Sequence, residues 1–349
     1  MRRGRRRAPA GALVACLLAL PCLGACSDDE ATPTAAESPA QEPSVSEPDP
    51  ICPLTGEDPP KGVSLEREAI AIKVENSEAS RPQSGLEDAD LVFEEIVEGG
   101  ITRFMAVYHC GDAKKVGPVR SARFDDPKIA LPFTNVIAYS GSNAIVDKEL
   151  KQRKMLLLNE LNGANAFFRV PPGVLDVHNL FTSVARLRAA AKGPRVDAPK
   201  SVFEFGPIAK GSKKARRVTV HFNASNTVEY RWKGGVWKRW EAGAPFRSAT
   251  GGQIGVPNVL VQQVEVNNSK KIVDPAGNPS PDIALEGKGT AWLFRNGRVV
   301  KGTWRMKKAG DPPVFRTKKG DPLVFDEGPI WVELVPSTKG EVKGSIDFR

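Results

Sequence analysis

Helical periodicity in this 349-residue chain stops before residue 193, and all six tryptophans come after residue 230. That asymmetry restricts the fold to two unlike stretches, one of alternating strands and helices and one built of strands. In the first, Ala69–Val74, Leu91–Ile96, Thr102–His109 and Asn135–Tyr139 are β-rich apolar runs, the pattern of central strands covered on both faces. Helices fit Asp126–Leu131, Ala144–Lys154 and Ser183–Lys192, with Thr182 a candidate cap for the last and Gly193-Pro194 its stop. In the second, Arg217–Phe222 alternates, and Val256–Val266, Gly289–Phe294, Arg298–Trp304 and Pro329–Pro336 read as further strands. Asn296-Gly297 between two of them is a two-residue hairpin signal. Trp232, Trp237, Trp240, Trp292, Trp304 and Trp331 fit core and cross-strand packing better than a sugar-stacking platform. The expected class is α+β: an N-terminal α/β layered domain with a mixed sheet over 51–206, then a mostly antiparallel all-β domain over 212–349.

Residues 1–50 have no part in either core. Arg2, Arg3, Arg5, Arg6 and Arg7 precede an apolar run centred on Leu13, Val14, Leu17, Leu18 and Leu20, interrupted by Pro21 and Gly24. The run is too short and too punctuated to span a membrane, and 1–25 read as a signal peptide. Leu23-Gly24-Ala25-Cys26 resembles a bacterial lipobox, in which small residues precede a cysteine whose thiol takes a diacylglycerol. Cys26 is then the expected lipidation site, carrying acyl groups such as palmitate; the alternative is a plain secretory signal with a chance cysteine. Residues 27–50 hold seven acids, no Lys or Arg, and many Ala, Pro and Ser. Such a segment buries too little surface to offset its ordering entropy, so a disordered, extended tether is expected. The expected localisation is a cell membrane, with the body lipid-anchored on its extracytoplasmic face.

Cleavage would leave Cys26, Cys52 and Cys110 of the five cysteines. With Cys26 acylated, Cys52 and Cys110 are the remaining pair in a compartment that permits disulfides; two free or buried thiols are the other reading. No Cys or His spacing points to a metal, and no cofactor is expected. The formal charge is +9 over the full chain, and removing the signal arginines and tether acids makes the body more basic still. That bias favours anionic partners such as phosphorylated lipids or cell-wall polymers, or it is a basic surface with no dedicated ligand. An exported body leaves nucleic acid aside, and no feature names a protein partner.

Three segments pair arginine with glycine or proline at strand ends: Arg81–Leu86, Glu98–Phe104 and Gly117–Arg123. Glycine lets a ligand approach the backbone, and arginine offers a planar fork for carboxylate or phosphate. Ser140-Gly141-Ser142-Asn143 follows a strand and opens a helix, and Phe168-Arg169 and His178-Asn179 come later. The candidate ligand-binding set is Arg81, Glu98, Arg103, Arg120, Arg123, Ser140, Arg169, His178 and Asn179. In a binding or scaffolding protein, the arginines grip an anionic envelope ligand and Ser140, His178 and Asn179 orient it. In an enzyme, they neutralise the phosphates of a polyprenyl-linked substrate while Asp90 or Asp125 holds a divalent cation. In a structural protein, Arg81, Arg103, Arg120 and Arg123 are paired internally with Glu94, Glu95, Glu98 and Asp125, and function lies on a protein-facing surface. No nucleophile elbow, Walker loop or zinc motif is present, so no catalytic residue is assigned.

The combination of segments resembles the YerB-type bacterial lipoproteins, a family without an assigned biochemical function. The resemblance rests on Pro53-Leu54-Thr55-Gly56, Arg81–Leu86, Ala89-Asp90, Glu98–Arg103, Gly117–Arg123 and His178-Asn179-Leu180. It continues through Gly287-Lys288-Gly289, Gly302-Thr303-Trp304 and Trp331–Pro336. It implies a lipidated, two-domain envelope protein and supplies no substrate. A fainter similarity links Thr102–Val107, Lys114-Lys115-Val116 and Asn135–Gly141 to the LytR-CpsA-Psr enzymes, which transfer polymers from a polyprenyl-pyrophosphate carrier. It is an analogy of fold, which does not establish activity.

Overall fold

A mixed sheet carries strands from both sequence stretches. In the computed structural model, which describes residues 49–349 except 164, 193–197 and 209, its order begins Val314–Thr317, Arg298–Met306, Gly287–Arg295, Asn258–Val273, Ile330–Pro336. It continues through Leu91–Ile96, Thr102–Tyr108, Ile70–Glu75, Val136–Ala138 and Leu156–Leu158. The expected signal peptide, Cys26 and all but the end of the expected tether lie outside the described residues, as does the expected helix stop at Gly193-Pro194.

The seam between the stretches is a parallel pair. Ile330–Pro336 runs beside Leu91–Ile96 with Leu91 opposite Ile330 and Val92 opposite Trp331, and on its other edge beside Asn258–Val273. All the residues of Leu91–Ile96 and of Ile330–Pro336 are buried, as expected of central strands covered on both faces. Residues Asp49–Arg349 therefore form one compact unit.

A second, antiparallel sheet is ordered Ala244–Pro245, Val236–Glu241, Thr227–Lys233, Arg217–His221, Ser345–Phe348. Its strands alternate buried and half-exposed residues, the pattern of a sheet with one face on the core. That face meets the mixed sheet through aromatic rings: Trp237 on Phe294 at 5.7 Å, and Phe246 on Phe104 at 5.9 Å. Trp237, Trp292, Trp304 and Trp331 are buried. Trp232 leans on Trp237, and Arg231 covers Trp240 at 4.3 Å. The tryptophans are packing residues.

The class is α+β, mostly strand, with a mixed sheet and an antiparallel sheet. Helices occupy Asp126–Ala130, Ala144–Gln152 and Val184–Ala190. Asn143 caps the second, accepting from the amides of Ile145 and Val146 at 3.0 and 2.9 Å. Ser183, and not Thr182, caps the third. Thr182 ends a strand, and its hydroxyl donates to the Ala166 carbonyl. The Asn296-Gly297 hairpin forms as read: Arg295 faces Arg298, and both turn residues have positive φ, 51° and 64°. Cys52 and Cys110 are disulfide-bonded, joining the entry segment to the end of the Thr102–Tyr108 strand.

Candidate functional site

Loops at strand ends converge on an open cleft of about 560 Å³, the usual place for ligands beside a sheet of this kind. Glu98 lies on the turn between Leu91–Ile96 and Thr102–Tyr108. Arg120, Ser121 and Arg123 come from the segment after Gly117-Pro118, and Ser140 to Asn143 from the entry to the second helix. Arg169 and the loop through Leu175, Asp176 and Val177 form one wall, and Val273, Asp274 and Pro275 another.

The charged groups are arranged in layers. Arg123 Nε donates to Glu98, which also accepts from Ser280 Oγ at 2.7 Å. Arg120 Nε sits 3.2 Å from Glu75 Oε1, an ion-pair contact without hydrogen-bond alignment. Arg103 lies beneath them, 6% exposed, with Nη1 donating to the Ser121 carbonyl at 3.1 Å. Among the described residues Arg103 has no carboxylate partner, and its Nε is unsatisfied. Burial first, then the neighbouring Arg123 and Arg120, lowers its pKa to about 10, against the pull of Glu98 and Glu75. It remains charged at neutral pH. Arg120 and Arg123 thus each contact a carboxylate, Asp176 and Asp274 add acids to the cleft walls, and the deepest guanidinium, Arg103, has no carboxylate in contact among the described residues.

The structure divides the candidate set. Glu98, Arg120, Arg123, Ser140 and Arg169 line the cleft, and Arg103 lies below it. Arg169 is occupied by Glu160, the Asn179 amide oxygen and the Asp176 carbonyl, so it fastens the wall. His178 and Asn179 do not line the cleft. His178 Nδ1 lies 2.9 Å from Glu75 Oε2, bracing the carboxylate that faces Arg120. Arg81 is not a lining residue either: it pairs with Glu241 and donates to the Asn76 carbonyl at 2.9 Å. Arg81, His178 and Asn179 thus stand outside the cleft lining, because the loops that carry them turn these side chains to Glu241, Glu75 and Arg169.

Three of the four arginines are paired internally with acids, Arg81, Arg120 and Arg123, but only Arg123 with an acid of the expected set. Arg123 takes Glu98, but Glu94 pairs with Arg239, Glu95 with Lys73, and Asp125 with Lys128. Asp90 accepts from the amides of His109 and Gly111, and Asp125 from that of Ile283. Neither lines the cleft, and among the described residues no cluster of three or more His, Cys, Asp or Glu side chains is placed to hold a metal. The residues missed from sequence are Leu175, Val177 and the 273–275 turn. Asp274-Pro275-Ala276-Gly277 signals a turn, but nothing local places it beside arginines far earlier in the chain.

Residues 54–197 match the family described as "Protein of unknown function (DUF3048) N-terminal domain", and residues 218–332 match its C-terminal domain. The chain is 31% identical over 293 residues to the Bacillus subtilis (strain 168) protein named "Putative lipoprotein YerB", covering 81% of this chain and 86% of that one. The crystal structure of YerB from Bacillus subtilis superposes with a TM-score of 0.70 at 28% identity, over 85% of this chain and 99% of that one. Both halves of the family thus follow in order along one shared sheet, and the chain belongs to the DUF3048 family of YerB-type proteins.

Proposed function

We propose that this lipoprotein-family chain is anchored to the extracytoplasmic face of a cell membrane through acylated Cys26, and that its body binds an anionic cell-envelope ligand in the cleft. The observation that carries the binding reading is the unpaired, buried Arg103 beneath Arg120 and Arg123. A buried unpaired charge is costly, and an anion held on Arg120 and Arg123 would bring compensating negative charge towards it. A phosphate or carboxylate entering there meets Arg120 and Arg123 at the surface, with the Ser121 and Ser140 hydroxyls beside them. The relative named as a lipoprotein supports the anchor, as does Leu23-Gly24-Ala25-Cys26.

The test is a thermal-shift series on Asp49–Arg349 with phosphate, pyrophosphate and short polyprenyl phosphates, each with and without Mg²⁺. A ligand at 100 times its Kd adds ~2.7 kcal/mol of stability. A shift that disappears in Arg120→Ala supports the anion site; no shift with any of them rejects it. Dependence on Mg²⁺ would move the reading towards a phosphotransfer enzyme. For the anchor, Cys26→Ser should move the protein from the membrane fraction to the soluble one, and retention there would reject lipidation at this residue.

A further inference from the structure

Among the described residues eleven large apolar side chains are exposed, three of them in the arginine cleft and two more on the loop that forms its wall. Single exposed apolar residues are ordinary on a soluble surface, and several presented side by side mark an interaction site. Leu175, Val177 and Val273 line the cleft itself. Leu175 is 85% exposed and Leu161 98%. Val170 and Val174 belong to the same loop as Leu175, and the Arg169–Glu160 pair ties the Leu161 turn to the base of that loop. The loop is a held structure. Arg169 donates to the Asp176 carbonyl and to Asn179, and the Asn179 amide donates to the Val174 carbonyl at 2.8 Å. Its apolar side chains are therefore presented outward by a built scaffold.

We infer that the ligand is a phosphate-bearing lipid held in a bilayer. Its headgroup phosphate lies on Arg120 and Arg123, and Val170, Val174, Leu175 and Val177 of the adjoining loop enter the membrane interface beside it, with Asp176 tied back to Arg169 through its carbonyl. The inference rests on the anion-binding reading above and names its ligand class. Charge and apolarity are adjacent here, which fits an amphiphile better than a free anion or a soluble polymer, since either of those would leave the apolar rim wet. Interfacial binding of this kind adds buried apolar area to attraction for anionic lipid.

The unit Asp49–Arg349 is compact and contains both disulfide cysteines, and it lacks Cys26, so its vesicle binding reports the body alone. It would be sedimented with vesicles of phosphatidylcholine and of phosphatidylcholine mixed with phosphatidylglycerol. Pyrophosphate thermal shifts would be run in parallel, with Val170→Ser/Val174→Ser, which lie on the loop outside the cleft lining, and Arg123→Ala as variants. The expected result is binding to the anionic vesicles, weakened roughly tenfold or more by the double serine variant, whose pyrophosphate shift stays at the wild-type value. Arg123→Ala should weaken both. Both serine positions are exposed, so the melting temperature without ligand should hold. Absence of vesicle binding, or equal binding by wild type and the serine variant, overturns the lipid inference. If the pyrophosphate shift survives that outcome, the anion site stands; if it is also absent, both readings fall.

Discussion

Arg239 Nη2 lies 2.7 Å from Glu94 Oε2, and neither side chain is exposed to solvent. The pair joins the antiparallel sheet to the centre of the mixed one. Around it stand Glu241 at 2.9 Å and Glu333 at 3.3 Å, with Tyr230 bonded to both Arg239 and Glu333. Three carboxylates thus share one fully buried guanidinium, with half-buried Arg81 reaching Glu241 from the margin.

That excess of acid has a pH consequence. Burial, with Glu333 adding to it against Arg239, pushes the Glu94 carboxyl up to about 8, and burial raises Glu95 to about 8 despite Lys73. The folded chain then keeps protons that the unfolded chain releases near 4.5, so its stability falls as pH rises between those values. Asp90 and Asp125, raised by burial to about 6, act in the same sense at lower pH. His109, lowered by burial to about 4, acts oppositely: the unfolded chain takes its proton first as pH falls below 6.5. Above that pH the glutamates dominate this set. The melting temperature should fall from pH 6.5 to 8, and Glu94→Gln should flatten the slope. A wild-type profile that is level over this window would contradict the assignment.

Arg123 and Arg81 should separate in binding assays. Arg123 lines the cleft and Arg81 does not. A hydrogen bond to a charged group is worth ~1.5–3 kcal/mol, so Arg123→Ala should weaken pyrophosphate binding about tenfold to a hundredfold. Arg81→Ala should leave the affinity within about twofold, since it lacks that contact. Titration calorimetry decides it, and equal losses in the two variants would remove the cleft from consideration.

The Cys52–Cys110 bond closes a sequence separation of 58 residues. In the chain-entropy model a loop of that size contributes ~4 kcal/mol. Replacing both cysteines by serine should lower stability by about that amount in urea unfolding, and reductant should do the same to the wild type but nothing to the variant.

Gly297 has φ of 64°, and a Cβ there would stand 2.8 Å from Trp232 Cδ1. Left-handed backbone alone costs a side-chain-bearing residue ~1–2 kcal/mol. Gly297→Ala should lower the urea midpoint at unchanged slope, and an unchanged midpoint would mean that the turn relaxes freely.

Local features carried much of the fold in the sequence. The Leu91–Ile96 strand, the Asn296-Gly297 turn and the three helices were legible because periodicity and turn chemistry act over a few residues. The lipobox resemblance at Leu23–Cys26 is local in the same way, since it lies in contiguous residues. What neighbours each strand was not legible. Only tertiary structure pairs Leu91 with Ile330, so that the two stretches share one sheet. Packing of the antiparallel sheet on the mixed one sets the partners of several charged residues. Glu94 meets Arg239 instead of a nearby arginine, Arg81 leaves for Glu241, and Arg103 is left without an acid. The shared sheet brings the 273–275 turn and its exposed valine to the arginine cleft. Sequence determined which residues could carry charge or bury it. Long-range register decided which charges cancel, because an ion pair depends on separation in space and not along the chain.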